Sequence, residues 1–391
     1  LARVGYRDGS YSLRIPLTFT PRWDGEAATA GEAALTGPGH AAAPLIAPPG
    51  ELDDHRLVME IDLRSGLELA SLVSRYHDVD IHPTLGGYRV HLADPDTRSD
   101  REFVLEWAPE LGSSPVATLS THDRGDAVYA MLMLAPPLAE AIAPQPREVV
   151  FIIDTSGSME GTSLTQARAA LKLGLTYLEP DDRFNLIRFS SRSEALFHES
   201  VPAYPAYLQE ASDFLDDLSA NGGTVMAPAL AMAMDLPEQP GLLRQIVFVT
   251  DGSVGNEQEL LLQIAEHLGD SRLFTVSIGS APNAWFMRKA AEIGRGNHTR
   301  IGRLEEVRER ISGLWSRIEN PAIQNVCIDW GMDAEYFPEI VPDLYAGEPL
   351  WLYARLPREP DHVSVCGELA GRYWEMNTRL LPVPGGESLA T

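Results

Sequence analysis

Asp154-Thr155-Ser156-Gly157-Ser158 places a carboxylate and two hydroxyls at positions i, i+2 and i+4, at the end of the apolar run EVVFIID (148–154). All three are hard oxygen donors. Asn221-Gly222-Gly223-Thr224 adds a hydroxyl behind two glycines, which let the backbone approach closely, and Thr250-Asp251-Gly252 ends the run RQIVFVT (244–250) with a second carboxylate. Asp154, Ser156, Ser158, Thr224 and Asp251 would together suit a small hard cation that needs about six oxygens, with water in the remaining places. Only two of these groups are anionic, so the ion stays electrophilic, and a carboxylate from a partner could complete its shell. Magnesium fits best because it accepts an octahedral oxygen shell with retained waters; manganese should substitute, and calcium would need more ligands than these loops provide. Each residue alone is an ordinary turn or cap residue; three such loops together point to a cation.

Other chemistry fits less well. The loop after EVVFIID has neither the glycine spacing of a dinucleotide site nor the lysine of a phosphate loop. Gly252-Ser253-Val254-Gly255 lacks the Gly-x-Ser-x-Gly spacing of a nucleophile elbow. Metal-assisted hydrolysis would need a general base near the ion, and Glu160 is the one candidate in these loops. His77-Asp78-Val79-Asp80-Ile81-His82 has metal-ligand residue types at alternating positions, but beside Pro83 and Gly86-Gly87 it reads as a solvated loop. Glu305, Glu306 and Glu309 read as the wet side of a helix.

The elements that must position the three loops follow from periodicity. EVVFIID, FNLIRF (184–189), RQIVFVT and RLFTVSI (272–278) are apolar, β-branched runs of the kind buried on both faces of a parallel sheet, while EALFHE (194–199) and NHTRI (297–301) are more polar and suit its edges. Between them run helical stripes: Leu164, Ala167, Leu171, Leu175 and Leu178, then Leu304, Val307, Ile311, Leu314 and Ile318. The expectation is an α/β domain over 147–319 with a doubly wound, mostly parallel six-stranded sheet, whose ligand loops lie beyond the carboxyl ends of its strands. On either side the pattern becomes period-2: LVMEIDL, GYRVHLAD, EFVLEWA and VYAMLML before it, IQNVCIDW, LWLYARL, HVSVCGEL and RYWEMNTRLL after it. Neither half covers its own apolar face, so 51–146 and 320–391 are expected to assemble as one antiparallel β-sandwich with the α/β domain inserted in it. Residues 25–50, rich in Ala, Gly and Pro, read as a flexible linker, and 1–24 as the end of a separate β-domain.

At 391 residues the chain should hold two or three domains at roughly 150 residues each. Its net charge of -25 would be repelled by phosphate backbones and anionic lipid, which disfavours nucleic acid and membrane-surface partners. No apolar run approaches the roughly 20 residues needed to span a bilayer. The chain starts at Leu1 within strand-like sequence and is expected to be a piece of a longer protein. Cys327 and Cys366 either form one bridge or stay free, both pointing to the less apolar side of their strands.

DTSGS after an apolar strand, a later GGT and then TDG resemble the metal-ion-dependent adhesion site (MIDAS) of von Willebrand factor type A domains. The wider chain is similar to inter-alpha-trypsin inhibitor heavy chains and their bacterial relatives, secreted sortase-target proteins, in which a vault-protein/inter-alpha-trypsin (VIT) domain precedes the type A domain. DGSYSLRIPLTFTPRW resembles the end of that VIT domain, and DLYAGEPLWLYARL the segment that follows the type A domain. The resemblance implies that Ser156, Ser158 and Thr224 supply hydroxyl ligands to the ion, with Asp154 and Asp251 binding directly or through water. It also implies a non-enzymatic adhesion protein, secreted or at the cell surface, whose ligand is a protein or matrix component with an exposed carboxylate. A structural assembly subunit is the alternative, and a metal-assisted hydrolase a more remote one.

Overall fold

A computed structural model describes residues 4–7, 9–17, 57–84, 86–97, 101–137, 146–252, 255–279, 283–319, 321–345, 348–369 and 371–379. The expected linker, 25–50, lies outside the described residues. The chain divides into two compact units, 1–110 and 111–391.

In the first unit Val4–Arg7 (β1), Ser10–Ile15 (β2), Glu60–Leu63 (β3), Leu69–Ser74 (β4), Val79–Thr84 (β5), Gly87–Leu92 (β6) and Phe103–Pro109 (β7) form two antiparallel sheets, ordered β1-β2-β7-β4 and β3-β6-β5. This corrects two expectations. Residues 10–15 are not the end of a separate domain, because β2 pairs with β7 from Tyr11 opposite Trp107 to Ile15 opposite Phe103, and the Tyr11 and Trp107 rings stack at 5.6 Å. For the same reason residues 57–109 do not belong to the sandwich expected for 51–146. A period-2 pattern says which side chains share a face but not which strand lies alongside, so partner choice was open to it. The segment 77–82 is also more ordered than a solvated loop: β5 pairs with β6 along its length.

The second unit opens with Val116–Asp123 (β8) and Val128–Ala135 (β9) and then enters the α/β domain. Its strands are Arg147–Asp154 (β10), Arg183–Phe189 (β11), Ser193–Ala195 (β12), Val201–Pro202 (β13), Leu243–Thr250 (β14), Arg272–Ile278 (β15) and Arg295–Ile301 (β16). Its helices are Thr162–Leu175 (α1), Pro205–Asp217 (α2), Ala227–Met234 (α3), Glu257–His267 (α4), Ala284–Ile293 (α5) and Val307–Glu319 (α6). The sheet order is β12-β11-β10-β14-β15-β16; β13, which also pairs with β11, is a seventh strand where six were expected. Two residues are too short to leave a periodic signature, which is why β13 escaped the sequence reading. Along β10 every residue is buried, and alternate side chains enter different cores. Val149, Phe151 and Ile153 pack with α1, α2 and α6, while Val150 and Ile152 pack with α3, α4 and α5. Both expected helical stripes face the first of these cores except Leu304, which sits in a 3-10 turn ahead of α6 and is exposed.

After α6 come Pro321–Asp329 (β17), Glu335–Phe337 (β18), Leu344–Tyr345 (β19), Leu350–Leu356 (β20), His362–Leu369 (β21) and Arg372–Arg379 (β22). Two sheets, β18-β20-β9-β8 and β19-β17-β21-β22, share a core that includes Leu119, Leu132, Ile323, Trp330, Leu352 and Val365. β9 pairs with β20 from Leu134 opposite Leu350 to Val128 opposite Leu356, so strands from both sides of the α/β domain lie in one sheet. Cys327 and Cys366 are opposite one another on β17 and β21 and are disulfide-bonded. The bridge joins residues 39 apart in sequence, and loop-closure entropy assigns such a bridge about 3–4 kcal/mol.

His298, on the edge strand β16, hydrogen-bonds Ser277 Oγ through Nε2 at 2.9 Å. Burial, with help from the nearby Arg288 and Arg300 charges, pushes its pKa down to about 4. A depressed imidazole pKa means that the unfolded chain binds the proton first as pH falls. The contribution of His298 to stability is therefore complete above the ordinary value near 6.5 and is lost between 6.5 and 4. An NMR titration of the ring should give a midpoint near 4; a midpoint near 6.5 would contradict the burial argument.

Candidate functional site

The strand order reverses at β10: β11 lies on one side and β14 on the other, both parallel to it. The carboxyl ends of β10 and β14 therefore open a crevice at the switch point, where open α/β sheets bind ligands. Ile153 is opposite Val249, so the next residues, Asp154 and Thr250, emerge side by side. Thr250 Oγ1 donates to Asp154 Oδ2 at 2.6 Å, and the Ser156 N–H donates to Asp154 Oδ1 at 2.8 Å.

Asp154 is 0% exposed and Ser156 1%, whereas Ser158 is exposed. The Ser156 and Ser158 hydroxyl oxygens are 3.0 Å apart. The chain is held there by a 3-10 turn, Gly157–Met159, whose Met159 is fully buried, before α1 begins. The loop carrying Thr224 is laced to the first: the Gly157 N–H donates to the Gly222 carbonyl at 3.1 Å, and the Asn221 N–H to the Thr155 carbonyl at 2.8 Å. Gly222 has φ +79°, in the left-handed region that glycine adopts without strain. Thr224 and Asp251 are half-buried. The Asp251 carbonyl accepts from the Asn283 N–H at 3.2 Å, which ties the third loop to the start of α5.

Burial raises the pKa of Asp154; the hydrogen bonds from Ser156 and Thr250 oppose the rise, and the Asp251 charge adds to it. Among the described residues no group of three or more His, Cys, Asp or Glu is arranged to hold a metal. This includes the 77–82 segment, where His82 lies 6.0 Å from the His91 ring. A cation held in the switch-point crevice would have to draw on hydroxyls as well as on the two carboxylates, and hydroxyls are what the crevice presents.

A buried Asp at the end of β10, a Ser-x-Ser turn after it and an Asp following β14 in one crevice set the comparison with known proteins. Residues 147–299 match the family model of the von Willebrand factor type A domain. A von Willebrand factor A domain-containing protein of Dictyostelium discoideum is 27% identical over 230 residues, covering 58% of this chain and 25% of the relative. Inter-alpha-trypsin inhibitor heavy chain H4 of Bos taurus is 28% identical over 269 residues, covering 66% of this chain and 28% of the relative. The chain thus spans less than a third of either relative. A solved von Willebrand factor type A structure from Catenulispora acidiphila superposes with a TM-score of 0.56 at 17% identity, over 68% of this chain and 73% of that one, a likeness of fold.

Three contributors to this crevice were not singled out as ligands or supports from sequence. Thr250 was visible in the TDG triplet, but its bond to Asp154 depends on the β10–β14 register. Thr155 fixes the first loop by donating from both N and Oγ1 to the Phe189 carbonyl, at 2.7 and 2.9 Å. Ser191, whose Oγ accepts from the Gly223 N–H at 2.8 Å, carries no local signal at all.

Proposed function

We propose that this chain binds a protein or matrix ligand through a divalent cation held by Asp154, Ser156, Ser158, Thr224 and Asp251. The observation that carries the reading is the buried Asp154 carboxylate, whose charged form is disfavoured by burial and by Asp251. A divalent cation reverses both effects at once. The donors are hard oxygens, which select magnesium, or manganese in its place, over softer metals. With so little anionic charge in the donor set the ion stays electrophilic and accepts a carboxylate from the ligand.

Binding is favoured over catalysis because hydrolysis requires a general base beside the ion, and the three loops contribute Asp, Ser and Thr in positions suited to coordination. A location outside the cell or on its surface is part of the same proposal. It draws on the Cys327–Cys366 bridge, since disulfides persist in oxidising compartments, and on the resemblance to secreted proteins with VIT and type A domains. No described helix is long and apolar enough to cross a membrane.

Asp251→Ala and Ser156→Ala should each weaken magnesium binding, measured by calorimetry, and weaken capture of the chain on immobilised Glu-bearing peptides or matrix extract. Capture should require magnesium and fail in EDTA at matched ionic strength. Equal capture of both variants and the parent, in EDTA and in magnesium alike, would overturn the reading.

A further inference from the structure

We infer that the short turn between β11 and β12, residues 190–192, is a ledge that positions Thr224, and that Ser191 is its adjustable contact; this rests on the metal-site reading above. Thr224 is bracketed by two hydrogen bonds to that turn. On one side the Gly223 N–H donates to Ser191 Oγ at 2.8 Å, and on the other the Val225 N–H donates to the Ser190 carbonyl at 2.9 Å. A residue whose two neighbours are both anchored to one turn has little freedom in where its hydroxyl sits.

The same turn holds the first loop. Phe189, the last residue of β11, accepts both bonds from Thr155, next to Asp154. Residues 189–191 therefore set the spacing between the loop that carries Asp154, Ser156 and Ser158 and the loop that carries Thr224. The turn is itself closed, with the Ser190 N–H donating to the Arg192 carbonyl at 2.9 Å and Phe189 paired opposite Ser193. Gly222 allows the contact to be close: a Cβ there would lie 2.8 Å from Ser191 Oγ, so any other residue would displace that hydroxyl from the Gly223 N–H. Of the bonds from the ledge, those through Phe189 and Ser190 use backbone carbonyls that every residue possesses. Ser191 Oγ is the one made by a side chain, and Ser191 is exposed, so changing it disturbs no core.

Ser191 is thus a positioning residue, acting on the ion through Thr224. The test is a double-mutant cycle read by calorimetric magnesium affinity, with Ser191→Ala, Thr224→Ala, the double variant and Ser191→Thr, which keeps the hydroxyl. Loss of one hydrogen bond should weaken magnesium binding about fivefold in Ser191→Ala. It should cause no further loss in the Thr224→Ala background, because the residue through which it acts is gone, and Ser191→Thr should bind like the parent. In metal-free protein, amide exchange at Gly223 should speed up in Ser191→Ala and stay slow in Ser191→Thr. Effects of Ser191→Ala and Thr224→Ala that add in full, or a Ser191→Ala protein that binds magnesium like the parent while Asp251→Ala does not, would overturn the ledge and leave the metal site standing. Parent-like affinity in Asp251→Ala and Thr224→Ala as well would overturn both.

Discussion

Asp343→Ala is expected to destabilise the unit formed by residues 111–391 by about 3–5 kcal/mol, the cost of leaving a buried charge without its partner. Arg272, the first residue of β15, is 1% exposed, and the Asp343 side chain is 0% exposed. The guanidinium meets the carboxylate through two bonds, Nε to Oδ2 at 2.6 Å and Nη2 to Oδ1 at 3.1 Å, and also donates to Asn325 Oδ1 at 2.9 Å. The Asn325 N–H in turn donates to Asp343 Oδ1 at 3.0 Å. Asn325 is on β17 and Asp343 precedes β19, so this network fastens the α/β sheet to the strands that follow it. Removing Asp343 leaves the buried guanidinium without its anion. An exposed pair such as Lys172 with Asp216 should contribute no more than about 1 kcal/mol by comparison. Urea unfolding of Asp343→Ala and of Asp216→Ala would measure the contrast. A loss below about 1 kcal/mol for Asp343→Ala would show that the site relaxes or hydrates. The apolar double variant Arg272→Met, Asp343→Leu should recover much of the loss, since it buries no charge.

Asp154→Asn should abolish the stabilisation of the chain by magnesium. At a magnesium concentration about 100 times Kd the parent should gain about 2.7 kcal/mol by mass action, and the variant should gain nothing measurable. Without metal the sign is different. The folded-state pKa of Asp154 is raised, mainly by burial, so ionising it opposes folding, and stability from this group is present at low pH and diminishes as pH rises from the unfolded toward the folded pKa. A neutral Asn removes that penalty and keeps an oxygen to accept from Thr250 or from the Ser156 N–H, so the metal-free variant should be at least as stable as the parent at neutral pH. Thermal unfolding in EDTA and across a magnesium titration checks both halves. A variant that magnesium stabilises as much as the parent would remove Asp154 from the site, and one that unfolds in EDTA well below the parent would show that its carboxylate is structural.

The α/β domain was legible because its signals are local. Short, β-branched apolar runs such as EVVFIID and RQIVFVT read as strands buried on both faces, the stripe from Leu164 to Leu175 reads as a helix with one face inward, and Asp154, Ser156 and Ser158 sit within five consecutive residues. The pairing of strands far apart in sequence was legible only in part. The insertion of the α/β domain into a β-sandwich could be argued from bare faces, but the chain takes only β8 and β9 from the segment before it, while β7 and its neighbours join β2 in the other unit. Local sequence determined which residues could become ligands and which strand ends would carry them. Tertiary structure alone decided that Asp154 lies beside Thr250, that Ser191 meets Gly223, and that Arg272 finds Asp343, because each contact depends on a register or a loop approach set by the packing of the whole sheet, and a hydrogen bond between residues 32 or 96 positions apart leaves no periodic trace in either segment.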